Sequence, residues 1–427
     1  MNCMYHNSYS YASVRTPIID TGLLVEGHAA PLPVYDTPSP SHHSSDGSTN
    51  AAMECCQTTE NPYTAYAHNS SSVYQLNNYW HEKVMPNKMA VQQSVEEVGI
   101  ILQNILRQVE IEEPRFSCTL NKTTRDRYDG LTVDSPTEFS ILLYLNHMAV
   151  FSFIDEGSVP GCAALKLSDG RKRSMSLWIE FITASGYLSA RKIRSKFFAL
   201  VAQVLEKNKY SGVRIAEDAN DVIIIIKETY KVHVSPAFAW KGTWPGAVAN
   251  WVIKHQLAWP SVELANEIMV EGITLVSRES IYMKDKQTSS EGDAWLIEFT
   301  DAEERLMYSY DTNRKKILSI LKCLRDRHLQ VQSGSTITNH HLKTLLLFEG
   351  EKHPCDSEWQ EDHYADRIHS VLLQLTACLQ SHECLHYFQP GVNLFKGLDK
   401  KAMGVSARAV WAIIRRMAIS KYCWDEL

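Results

Sequence analysis

Ser135-Pro136-Thr137-Glu138-Phe139-Ser140-Ile141-Leu142-Leu143-Tyr144-Leu145 is the stretch on which the fold turns. Residues 139–145 are almost continuously apolar and read as a buried strand, with the acid Glu138 at its start. Working outward, residues 159–167 read as a second strand with a turn before it. Residues 221–227 and 230–236 read as two more, separated by Glu228-Thr229 in a tight hairpin. The second of these ends beside the polar Ser235.

Helical periodicity surrounds these strands. Residues 94–108 place Val95, Val98, Ile101, Leu102 and Ile105 along one face, and Pro114 ends the run. A longer helix is expected over 190–207, with Ile193, Phe197, Leu200, Val201 and Val204 on its apolar side. After a Trp-rich connection (Trp240, Trp244, Trp251, Trp259) the pattern reads as helical to the end, over about 294–306, 312–327, 338–349, 357–380 and 403–419. The fold class expected is α+β: a mixed β-sheet core with a long spine helix, followed by a C-terminal helical lobe. Three regions are expected: a disordered acidic tail rich in Ser, Thr, Pro and His over 1–70, the core over 71–260 and the helical lobe over 261–427.

Charge supports that division. The 427 residues carry a formal net charge of −6, but Asp20, Glu26, Asp36, Asp46, Glu54, Glu60 and Glu82 face a single base, Arg15, before residue 83. The rest of the chain holds acids and bases in equal number, so the overall acidity does not exclude an anionic ligand. A 44% hydrophobic, 22% charged composition excludes disorder throughout. The longest aliphatic block, 222–226, is far short of the roughly 18 apolar residues of a membrane helix, so no membrane association is expected. The ten cysteines are irregularly spaced without a secretory signal and are expected as reduced thiols.

Strand, acid, strand, then a hairpin closing beside a second polar position is the arrangement of a nucleotidyltransferase core. Two or three carboxylates on neighbouring strands there hold two Mg²⁺ ions, which polarise a triphosphate and activate the attacking hydroxyl. In Ser135 to Ser140 only Glu138 is acidic.

These residues carry a resemblance. With Pro160-Gly161-Cys162, the block 165–195 containing Arg171-Lys172-Arg173-Ser174-Met175-Ser176-Leu177-Trp178, Ile317-Leu318-Ser319-Ile320-Leu321-Lys322, Leu324-Arg325-Asp326-Arg327-His328, Glu351-Lys352-His353-Pro354 and His386-Tyr387-Phe388, the chain closely resembles the mab-21-like family, relatives of cyclic GMP-AMP synthase. The resemblance runs from about Val73 onward. It implies a bilobal nucleotidyltransferase-like fold and a developmental role in cell fate and embryonic morphogenesis, in nucleus and cytoplasm. Fold does not imply activity. Active relatives open the phosphate loop with Gly-Ser, where this chain has Arg125-Asp126. They carry three metal-binding acids, where it has Glu138, Ser140 and Ser235. Glu138 is thus the one metal-ligand remnant, and efficient transfer is not expected; Asp126 and Asp134 are the candidates to supply another ligand.

The resemblance also implies a nucleotide site: Asn87, Lys88, Tyr128, Asp129, Gly130, Leu131, Lys315, Ser319, Ile320, Leu321 and Lys322, with Asn339-His340 in place of a Ser-Tyr pair. Lys315 and Lys322 lie seven residues apart on one predicted helix face, about two turns, with Ser319 between them. The cofactors to consider are a nucleoside triphosphate and Mg²⁺. A second anion patch is expected from Arg171, Lys172, Arg173, Arg191, Lys192, Arg194 and Lys196, able to take single-stranded RNA or an inositol phosphate. The alternative is that these bases pair with acids of a neighbouring subunit or simply solvate the surface. The zinc-coordinating insertion of the DNA-sensing relative is missing. Cys378, His382, Cys384 and His386 have unsuitable spacing, so zinc is not expected. The tryptophans are expected to pack the junction of the lobes.

Besides pure nucleic-acid binding through Arg191, Lys192 and Arg194, which would weaken steeply with salt, two functions remain open on the sequence. The first is an inactive nucleotidyltransferase-fold regulator acting through regulatory protein partners or further copies of itself, with nucleotide as a ligand. The second is an active cyclic GMP-AMP synthase-like enzyme making a cyclic or linear oligonucleotide.

Overall fold

The computed structural model describes residues 70–117, 131–145, 151–154, 159–168, 177–216, 221–246, 258–283, 293–308, 312–330, 336–420 and 422–427. The tail before Ser70, Arg125-Asp126, the site candidates Tyr128, Asp129 and Gly130, and the basic residues Arg171, Lys172 and Arg173 lie outside the described residues, as does Trp251.

Helix α1 (Ser70–Tyr79) passes through a π-helical turn (Trp80–Val84) into α2 (Met85–Glu112), so the helix expected over 94–108 is the middle of a longer one. Val91, Val95, Val98, Leu102, Ile105, Leu106 and Val109 are its buried stripe. Pro86 follows directly on the π-helical turn, and Pro114 lies just past the end of α2.

One mixed sheet takes the described strands: β1 (Thr132–Ser135), β2 (Glu138–Tyr144), β3 (Phe151–Ile154), β4 (Cys162–Leu167), β5 (Val213–Ala216), β6 (Val222–Ile226), β7 (Tyr230–Trp240), β8 (Ile273–Val276) and β9 (Trp295–Glu298). Their order is β1-β2-β7-β8-β9-β4-β3, with β6 also on β7 and β5 on β6. The alternation of β2 buries Phe139, Ile141 and Leu143 on one side and leaves Glu138, Ser140 and Leu142 on the other. β2 and β7 run parallel in a register that sets Ser140 opposite His233 and Leu142 opposite Ser235. The β6–β7 hairpin turns on Lys227 and Glu228, both at positive φ (54° and 56°), one residue earlier than expected.

Helix α3 (Ala190–Asn208), the spine, packs on β5, β6 and β7 and against α2. Its start is capped by Ser189, whose hydroxyl accepts from the Lys192 amide at 3.2 Å, and it ends on Lys209 in the left-handed region. Ile193, Phe197, Leu200, Val201 and Val204 are buried, as the periodicity predicts.

The expectation of helix alone after the Trp-rich connection is corrected. Helix α4 (Val262–Glu271) leads through Gly272 into β8, and 295–298 is strand β9 where a helix over 294–306 was expected. Its residues alternate buried and half-buried, a period of two, and pair with β8 and β4. Helix α5 (Thr300–Tyr308) follows. Then come α6 (Asn313–Leu324), continued by a π-helical turn (Arg325–Leu329), α7 (Asn339–Lys352), α8 (Tyr364–Ser381), α9 (Lys400–Ile419) and the short α10 (Cys423–Glu426).

Tryptophans fix the helices to the sheet. Trp244 meets Phe299 and Phe388 at ring-centroid distances of 5.0 and 5.5 Å. The buried Arg314 guanidinium lies between Trp259 and Trp359, 5.0 and 4.5 Å from their rings. No described helix is long and apolar enough to cross a membrane.

Candidate functional site

A cavity of about 620 Å³ opens between the β1–β2–β9 side of the sheet and helices α2, α6 and α7. Asn87 and Lys88 reach it from α2, and Lys315, Ser319 and Lys322 from α6. Ser140 lines it from β2, Glu298 from the end of β9, and Asn339 and His340 from the start of α7. Residues far apart in the chain are thus brought to one wall. Lys88 lies over the Trp80 ring at 4.7 Å, and the Ser319 hydroxyl donates to the Lys315 carbonyl at 2.9 Å. Three expected binding residues are not on the wall: Leu131, Ile320 and Leu321 are core residues, each 1% exposed. Ile320 and Leu321 point to the core side of α6 and Leu131 precedes β1, and their burial excludes contact with a polar ligand.

Beneath the lysines lies a cluster of charges on the sheet. The Glu138 carboxylate takes His233 Nε2 at 3.0 Å. His233 Nδ1 stands 3.6 Å from Asp221, which precedes β6. Ser235 is fully buried and donates to Asp221 at 2.9 Å. Arg278, just after β8, places Nε 2.9 Å from Asp221, Nη2 3.0 Å from the Ser235 hydroxyl and Nη1 3.4 Å from Glu298. The Ser140 hydroxyl bonds the half-buried Asp134 carboxyl.

Each ionisation follows from these contacts. Burial disfavours charge on His233, but its bonds to Asp221 and Glu138 outweigh this and raise it to about 9. Burial pushes Asp221 upward, while His233, Arg278 and Ser235 hold it below the usual carboxylate range. The His233 bond lowers Glu138 against burial. Asp134 is raised by burial, with Ser140 and Arg278 opposing.

Asp221, His233, Arg278 and Glu298 were missed from the sequence. For Asp221, Arg278 and Glu298 the signal was one of position, a polar residue at or beside a strand end; His233 lies within β7. Asp134, singled out beforehand, does lie beside Ser140.

A third group lies at the far end of the cavity, where Glu303, His340 and His386 bring ligand atoms within 4.8 Å of one another. Lys343 closes on the other Glu303 oxygen at 2.5 Å. His386 Nδ1 accepts the amides of Phe388 and Gln389, which places its proton on Nε2, the nitrogen facing Glu303. A metal at that nitrogen would need the opposite tautomer. Burial pushes His386 down to about 3 and keeps it neutral. His382 caps α8 in the left-handed region, and the free thiols of Cys378 and Cys384 share a hydrogen bond.

The basic stripe of the spine helix is divided. Arg191 is exposed and 3.8 Å from Asp293, and Lys192 donates to the Ile182 carbonyl at 3.0 Å. Lys196 is half-buried. Arg194 turns inward, 7% exposed, to the Ser277 carbonyl and toward Glu279 at 3.9 Å, and so leaves the exposed stripe.

Residues 127–309 match the family model of the Mab-21 protein nucleotidyltransferase domain, and residues 313–412 that of the Mab-21 protein HhH/H2TH-like domain. Strands β8 and β9 fall inside the first match, and α6 to most of α9 inside the second.

Proposed function

The chain belongs to the Mab-21 family, and from that premise we propose that it is a regulator that binds a nucleoside triphosphate, or a comparable polyphosphate, without transferring it. The supporting observation is the shared wall of Lys88, Lys315, Ser319 and Lys322 above strands that carry Ser140 and Ser235 where a transferase would carry acids. Lysines and a hydroxyl on a concave wall suit phosphate oxygens. Under this reading, binding biases which surface the protein offers to regulatory partners or to further copies of itself in nucleus and cytoplasm. The role is developmental rather than metabolic.

Isothermal titration of the full chain with the four nucleoside triphosphates tests it. Binding is expected, weakened by roughly tenfold in Lys322→Ala, about 1.4 kcal/mol. Inositol hexakisphosphate and single-stranded RNA serve as competitors. No heat with any polyphosphate would refute the proposal.

The second reading, an active synthase, draws on Asp221 and Asp134, which stand beside the two serines and restore the acid count. Incubation with labelled nucleoside triphosphates, Mg²⁺ or Mn²⁺, and DNA or RNA decides between them. A product that disappears in Glu138→Ala establishes the synthase.

A further inference from the structure

We propose that Arg278 is the resident cation of this site, its guanidinium standing among Asp221, Glu298 and Ser235 where a divalent ion would otherwise be held, so that anion binding in the cavity is independent of Mg²⁺. The inference rests on reading the cavity as the nucleotide site and deepens that reading.

The geometry carries it. Three groups from three parts of the sheet converge on one planar side chain: Asp221 before β6 at 2.9 Å, Ser235 on β7 at 3.0 Å and Glu298 at the end of β9 at 3.4 Å. Ser235 is the position at which the third metal-binding acid was expected, so the guanidinium contacts the place a metal would need. A guanidinium keeps its charge at every physiological pH and presents several N–H donors in a fixed fork. The remaining acid of the expected set, Glu138, is also engaged, with His233 at 3.0 Å. Asp221 and Glu298 therefore share a cationic partner, and Glu138 has a hydrogen-bonded one, before any ion arrives. A metal could enter only by separating Arg278 from Asp221, leaving a fixed positive charge beside a doubly charged ion. The acids missed by the sequence reading consequently do not restore a metal site while Arg278 is in place.

Mn²⁺ binding by the full chain without nucleotide, read from the loss of the free-ion paramagnetic resonance signal, tests this. Wild type should show no site that depends on Asp221. Arg278→Met should gain one site, tighter than any in wild type by roughly tenfold or more. Adding Asp221→Asn should remove it, and Arg278→Lys, which keeps a cation, should not create it. Circular dichroism checks that each variant is folded. A folded Arg278→Met with no gain overturns the proposal, as does Mn²⁺ binding by wild type that is lost in Asp221→Asn. The wild-type and Asp221→Asn pair decides even where Arg278→Met fails to fold. Failure of nucleotide to bind would refute the function proposed above while leaving these ion measurements unaltered.

Discussion

His233 shows how much a single residue commits the site to one range of pH. Its folded pKa of about 9 lies above the ordinary 6.5, so the stability it contributes is complete below pH 6.5 and is lost as pH rises through 9. The shift corresponds to about 3 kcal/mol at most. Urea unfolding at pH 6.5 and 9.5 should show that decline in wild type and a flatter profile in His233→Gln. Gly350 makes a steric commitment instead. A methyl group there would stand 2.6 Å from the Trp259 ring, so Gly350→Ala should cost about 1–3 kcal/mol despite its better helix propensity, measurable by thermal unfolding. Neither constraint was legible in the sequence. Each depends on a partner brought up by tertiary packing, and a histidine or glycine looks the same with or without it.

Elements were legible in proportion to their length and caps. The spine helix has five turns of periodicity and a capping serine. Ser189 is also fully buried and donates to Asp293, so Ser189→Ala should cost about 1–2 kcal/mol in urea unfolding, and Ser189→Thr less. Strand β9 was misread because Trp295-Leu296-Ile297-Glu298 is too short to display its alternation before the acidic first turn of α5 begins. Strand β8 has all four residues buried, a run that carries no period at all. On α6, spacing placed Lys315, Ser319 and Lys322 together, but the same spacing could not show that Ile320 and Leu321 face the core.

At the scale of the whole molecule, the cavity exists because helices after residue 312 are tied to strands before residue 145. Arg325 and Asn339 both donate to the Asp134 carbonyl at 2.8 Å, and Asn339 also reaches Val133 at 2.9 Å. Asn339→Ala should cost about 1–2 kcal/mol. Combined with Arg325→Met, the loss should fall short of the sum of the two, because both donors share one acceptor; strict additivity in a double-mutant cycle would contradict this. The mixed sheet with a helical C-terminal region was readable from the strand and helix order together with the resemblance. The Asp221–Arg278–Glu298 contact was not, since its members come from separate strand ends. The strand order has a further consequence, for biosynthesis. Among the described strands β4 pairs only with β3 and β9, and α1 packs on α10, with Tyr79 and Trp424 rings 5.5 Å apart. On the ribosome, β4 must therefore wait with an open edge until residues 295–298 emerge, and α1 for α8 and then for Trp424. A nascent chain arrested between the two matched regions would have the described strands complete but α1 still without α8 and α10.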